Sequence, residues 1–183
     1  MIFASTKNKE IKMPYGEAIF QGLAEDGSLF HPVEKIDLKN LYYSFSSKDS
    51  FVKIASLITA QLLKDEISEK EAFEICEKAF TFEPKIKKIT DSLALLELFH
   101  GPTAAFKDFG ASFLASSMES FLKNRSSKAV ILTATSGDTG SAVARAFYEK
   151  ENIGVYIYPF VWGFTCYYHW RFNNNGHFIC AAS

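Results

Sequence analysis

Residues 100–108 (HGPTAAFKD) place Lys107 where an apolar run of strand length, 93–99 (LALLELF), gives way to helical spacing. Beyond it, Phe109, Phe113, Leu114, Met118, Phe121 and Leu122 recur at the interval of one helical face over 109–122. A lysine in the first turn of a helix meets the positive end of the macrodipole, which disfavours a cation there. Phe106 and Phe109 on either side would strip water from the amine, and desolvation also favours the neutral form. A neutral amine is a nucleophile toward aldehydes: it condenses with the carbonyl carbon, expels water and leaves a Schiff base. The plainer alternative is a solvated lysine on an amphipathic helix, and the first-turn position argues against it.

A second group of polar residues, 135–140 (TSGDTG), follows the apolar run 129–134 (AVILTA) and opens a helical stretch over 139–148. Backbone amides at a helix start, with the hydroxyls of Thr135, Ser136 and Thr139, suit an anion. No Lys-Ser or Lys-Thr pair follows the glycines, so this is not a nucleotide-phosphate loop. The same residues read equally as an ordinary tight turn in which Asp138 caps the next helix. His100 and Asp108 flank the lysine; they read as a structural hydrogen-bonder and a favourable first-turn acid, with no chemical role. Near the end, Cys166 and His169 precede His177 and Cys180, with seven residues between the pairs. Zinc pairs of this kind are usually separated by roughly 12–15 residues, so no metal is expected.

Two kinds of element must hold these loops. Residues 1–83 read as a small, mainly helical module. In 50–63 (SFVKIASLITAQLL), Phe51, Ile54, Ala55, Ile58 and Leu62 share one helical face. Ser68 and Glu71 form a capping box ahead of a helix carrying Phe73, Ile75, Cys76 and Phe80. Glu83 and Pro84 end that pattern. Over 84–159, strands at 93–99, 129–134 and 154–158 alternate with helices at 109–122 and 139–148. Such alternation implies crossover connections and a parallel sheet in an α/β fold, with 129–134 a buried strand. After Pro159 the pattern is lost: 160–183 holds eight aromatic residues and both tryptophans but a single charge, Arg171. That tail reads as unrelated sequence added by a frameshift or fusion.

The 183 residues carry a net charge of −1, which gives no footing for nucleic acid. Ser5, Lys7, Asn8, Lys9, Glu10 and Lys12 crowd the start, so no secretory signal is expected. The longest uncharged stretch, 153–170, is interrupted by Gly154, Pro159, Gly163 and His169, so no membrane span is expected. Of three cysteines only Cys76 precedes the tail, which suggests a reducing, cytoplasmic setting.

The lysine segment also carries a resemblance. Residues 95–110 (LLELFHGPTAAFKDFG) resemble the cofactor-lysine motif of threonine synthases, pyridoxal-phosphate enzymes that make threonine from O-phosphohomoserine. Residues 132–140 (LTATSGDTG) are similar to that family's next signature, and 22–32 (GLAEDGSLFHP) resembles its N-terminal element in looser form. The match runs from residue 1 to about 159, in the family's order.

The resemblance implies a threonine-synthase-like N-terminal domain over 1–83. Over 84–159 it implies the start of a parallel-sheet catalytic domain of pyridoxal-phosphate fold type II, the tryptophan synthase β type. Lys107 would bind pyridoxal 5'-phosphate as a Schiff base and move the protons. Thr135, Ser136, Gly137 and Thr139 would hold the substrate carboxylate, and Asp138 would sit near the cofactor's phenolic oxygen. The activity implied is that of a lyase converting O-phosphohomoserine and water to threonine and phosphate. A phospholyase acting on a related phospho-amino acid would use the same lysine and loop. The family's later glycine-rich loop for the cofactor phosphate has no counterpart here, nor has the residue that meets the pyridine nitrogen. The expectation is a truncated, inactive form or a non-catalytic remnant, with an exposed sheet edge and apolar face.

Overall fold

The computed structural model describes residues 1–123, 126–135, 137–148, 150–161 and 164–165. They fall into two units, Met1–Lys78 and Ala79–Ser183.

In the first unit, β1 (Ile2–Ser5) is the centre of a three-stranded antiparallel sheet, between β2 (Lys12–Pro14) and β3 (Phe30–Pro32). Strands of three or four residues are too short to print an alternating pattern, so the periodicity of the sequence does not reveal them. A polar knot fixes their connections. Ser5 is fully buried; its Oγ donates to Asp26 Oδ2 at 2.5 Å and lies 2.7 Å from Ser28 Oγ. It also accepts from the amides of Lys7 and Asn8. Hydrogen bonds from Ser28 and then Ser5 hold the Asp26 carboxyl below the usual carboxylate range. Gly27 supplies the left-handed φ of 74° that this turn needs.

Four helices complete the unit: α1 (Tyr15–Gln21), α2 (Lys39–Ser44), α3 (Phe51–Leu62) and α4 (Glu69–Ala79). Glu66 caps α1 from a distance, its two oxygens accepting from the Tyr15 and Gly16 amides at 2.9 and 2.8 Å. Ser50 caps α3 by accepting from the Lys53 amide. The capping box forms in full: the Ser68 amide donates to Glu71 Oε2 at 2.8 Å, and the Glu71 amide donates to Ser68 Oγ at 3.2 Å.

The buried stripes differ from the expected ones. On α3 the fully buried residues are Ser56, Thr59 and Ala60, while Phe51, Ile54, Ala55, Ile58 and Leu62 are half-buried. On α4 Ala72, Ile75, Cys76 and Ala79 are buried, but Phe73 is 43% exposed. The two helices meet where Thr59 Oγ1 lies 3.5 Å from Cys76 Sγ.

The second unit opens with β4 (Lys85–Lys88) and β5 (Ala94–Glu97), an antiparallel hairpin with Lys85 opposite Glu97. The apolar run ahead of Lys107 is therefore not the first strand of the parallel sheet. The short turn between the strands is the reason: Ile89 and Thr90 amides both donate to the Leu93 carbonyl, whereas a parallel neighbour needs a crossover of a dozen or more residues. β4 (KIKK) has one apolar residue and gave no signal.

After α5 (Lys107–Leu122) comes the expected parallel pair, β6 (Ala129–Thr135) and β7 (Ile153–Val161), connected through α6 (Asp138–Ala146). Their register runs from Ala129 opposite Ile153 to Thr135 opposite Pro159. β8 (Phe164–Thr165) returns antiparallel on β7. α6 packs on β6, β7 and α5, and Lys150 reaches Glu119 of α5 at 3.0 Å.

β6 was expected to be buried. One of its faces is covered, while Val130 and Leu132 on the other are 64% and 67% exposed. Their partners Gly154 and Tyr156 share that face, and Ile153, Val155 and Ile157 are buried on the face that carries α6. Among the described residues no helix is long and apolar enough to cross a membrane. Cys166, His169, His177 and Cys180 of the tail, at which no metal is expected, lie outside the described residues.

Cys76 is buried, and burial pushes its thiol above the ordinary range. A thiol harder to ionise in the folded chain contributes stability below its unfolded pKa and loses it as pH rises toward the raised folded value. Thermal melts are expected to show wild-type stability falling relative to Cys76→Ala as pH rises above about 8.5. Parallel curves across that window would contradict the assignment.

Candidate active site

Lys107 is the first residue of α5, so the expected meeting of amine and helix start is present. Its surroundings differ from those expected. Phe106 is 61% exposed, and Phe109 turns its ring toward Phe82, 4.8 Å between centroids, and Phe80, 6.2 Å. Phe106 is the ring that meets the amine, while Phe109 packs into the aromatic cluster. Lys107 itself is half-buried, with Nζ 4.5 Å from the centroid of the Phe106 ring. It makes no ion pair with a carboxylate among the described residues.

The loop ahead of Lys107 is built on Asp108. That side chain is 1% exposed; Oδ2 accepts from the Thr103 amide at 2.9 Å and Oδ1 from the Thr103 hydroxyl at 2.7 Å. Gly101 lies against it so closely that a Cβ there would collide with the Asp108 carboxylate. Ala104 takes a left-handed φ of 56°, which costs a residue with a Cβ of the order of 1–2 kcal/mol. His100 Nε2 lies 2.8 Å from Glu97 Oε2, consistent with a structural role. Sequence reasoning missed Glu97, Thr103 and Gly101 as participants. A threonine five residues before an aspartate does not match the three-residue spacing of a capping box, the only signal of this kind in use.

The second group sits at the C-terminal end of β6 and the start of α6, the edge where ligands bind in parallel α/β sheets. Thr135 ends the strand, and its Oγ1 accepts from the Gly137 amide at 3.2 Å. Gly137 is the N-cap and provides no side-chain cap, so the alternative in which Asp138 caps the helix does not hold. Asp138 is instead the first helical residue, exposed, with its carbonyl accepting from Ser141 Oγ at 3.0 Å. Thr139 follows, half-buried. Ser136 lies outside the described residues. The uncapped first-turn amides of α6 give this corner the character of an anion site. No hydrogen bond links Lys107 to Thr135, Gly137, Asp138 or Thr139.

A hairpin, a lysine-headed helix and a β–α–β unit with an anion-type corner define the opening portion of an α/β fold. Two solved structures share it. Threonine synthase from Escherichia coli superposes with a TM-score of 0.76 and 35% identity, covering 86% of this chain and 36% of that one. A threonine synthase from Brucella melitensis, described as PLP bound, gives a TM-score of 0.76 and 31% identity, covering 86% and 35%. Residues 2–80 match the family model of the threonine synthase N terminus. Threonine synthase from Buchnera aphidicola is 41% identical over 155 residues, 84% of this chain and 36% of its own length. Over most of its length the chain matches the N-terminal part of threonine synthases. It spans about a third of the length of the curated relatives it matches, 36% for the enzyme of Escherichia coli.

Gly140 sets how closely α6 approaches the sheet. A Cβ there would stand 2.5 Å from Thr135 Cγ2 and 3.2 Å from Ile157 Cγ2. Gly140→Ala is expected to destabilise the chain by about 1–3 kcal/mol in urea titrations, because neither neighbour is a flexible tip. Gly110→Ala is the control: nothing lies within 4 Å of its added methyl, so relief of glycine's entropy should stabilise α5 by about 0.5–1 kcal/mol. Equal effects of the two would contradict this packing.

Proposed function

We propose that this chain provides the lysine and substrate-carboxylate half of a threonine synthase site, a lyase that converts O-phosphohomoserine and water to threonine and phosphate. The observation that carries the reading is the Lys107 amine, half-exposed at the start of α5 and tied to no carboxylate among the described residues. An accessible amine of this kind fits pyridoxal 5'-phosphate, whose bound form supplies an aldehyde and a ring that stores electrons released at the substrate's α carbon.

In this reading Lys107 Nζ would be the group that holds the cofactor's aldehyde. The same amine, when free, would move protons at the substrate's α and β carbons. Thr135, Ser136, Gly137 and Thr139, with the first amides of α6, bind the substrate carboxylate and so fix the α carbon before the lysine. Asp138 would lie near the cofactor's phenolic oxygen. The family's N-terminal domain occupies 1–83 and the opening of its catalytic domain 84–159. Residues 160–183 are foreign to the family. The setting is cytoplasmic, in keeping with the free thiol of Cys76.

A second reading draws on the coverage of the relatives and on the bare face of β6. These 183 residues alone form the lysine corner but do not turn over, and they self-associate through Val130 and Leu132. A phospholyase on a related phospho-amino acid would present the same two corners.

Incubation with pyridoxal phosphate, borohydride reduction and peptide mapping tests the proposal. Label is expected on Lys107 in preference to the other lysines, to vanish from that peptide in Lys107→Ala, and to accompany no threonine formation by this chain alone. Label spread evenly over the lysines would remove the assignment of Lys107.

A further inference from the structure

We propose that Asp108 is a positioning residue for Lys107, an inference that rests on the role given to Lys107 above. Its carboxylate is buried without any cation facing it among the described residues. An acid in a first helical turn gains from the dipole while still in water, so burying it adds a desolvation cost with no electrostatic need. What the burial achieves is closure of the loop. The two bonds from Thr103 span residues 103–108. Across their start, Ala104 N–H donates to the Gly101 carbonyl at 3.1 Å, and inside them Asp108 N–H donates to the Ala105 carbonyl at 3.0 Å.

Lys107 sits between fixed points. Behind it, the Phe106 carbonyl accepts from the Phe109 amide at 3.3 Å; ahead of it, the Asp108 side chain is locked under the loop. The backbone direction at Lys107, and with it the departure of the amine from α5, follows from that clasp. The left-handed Ala104 is the strain the clasp holds in place, and Gly101 is the residue that leaves room for it.

The clasp depends on hydrogen-bond geometry rather than on charge, which makes it separable from a purely electrostatic effect of the carboxylate on the lysine. An asparagine can accept from the Thr103 amide through Oδ1 and donate to the Thr103 hydroxyl through Nδ2. Serine at 103 keeps both donors, while valine keeps only the amide.

The test measures the share of borohydride-trapped pyridoxal phosphate on Lys107 against the other lysines of the same 183-residue chain, with thermal midpoints recorded alongside. Thr103→Val and Asp108→Ala are expected to lower that share about tenfold, the size of one lost hydrogen bond to a charged group. Thr103→Ser and Asp108→Asn should stay within about twofold of wild type. If Asp108→Ala does not fold, Thr103→Val decides. Wild-type preference for Lys107 that survives in Thr103→Val overturns the clasp and leaves the lysine reading standing. Loss of preference in Asp108→Asn while Thr103→Ser keeps it also overturns positioning, in favour of charge. An absence of preference in wild type overturns both the lysine reading and this inference.

Discussion

Asp108, a buried carboxylate with two hydrogen bonds and no counter-cation among the described residues, ties down the loop that leads to the lysine. Leaving such a group unsatisfied costs on the order of several kcal/mol, so Asp108 and Thr103 can separate only at considerable expense. In the loop 101–106 only Ala105 is a buried apolar residue, while Phe106 and Ala104 remain exposed, so the Asp108–Thr103 bonds carry much of what holds it. An exposed loop with a fixed backbone suits a residue that must meet a ligand. Lys107 starts the helix and is half-buried, its amine lying over the Phe106 ring.

The second corner is fixed by a different force. Close packing of α6 onto β6 and β7, made possible by the missing side chain at Gly140, places the helix start directly after the end of the strand. Thr135 then serves twice, packing its methyl under Gly140 and accepting the Gly137 amide with its hydroxyl. Helix packing and the shape of the turn before α6 are therefore coupled through one side chain. On the opposite face Val130 and Leu132 stay bare, which limits what the parallel pair contributes to stability, since a sheet of this kind ordinarily buries both faces.

Much of the helical framework was legible because its signals are local. Ser50, Ser68 and Glu71 fix their helix starts through contacts within three residues, and the structure shows each of those bonds. The β6–α6–β7 unit was legible for the same reason, as strand and helix periods alternate cleanly there. What the sequence did not print was non-local or too short. β1 to β4 are runs of three or four residues stabilised by pairing partners elsewhere in the chain. Helix faces were misread because the residues buried on α3 and α4 include the small Ser56, Thr59, Ala60 and Ala72, while periodicity weights large residues. At the site, the place of Lys107 could be read but not its environment. Phe109 prefers Phe80 and Phe82 to the amine. The partnership of Asp108 with Thr103 follows no standard spacing.

Native-state hydrogen exchange at the Thr103 amide reaches the central claim most directly. An amide locked onto a buried carboxylate should exchange as slowly as the interior amides of α5, well below the rates of the exposed loop at 89–93. Exchange at the pace of that loop would show that the corner is open and that nothing in it fixes the lysine.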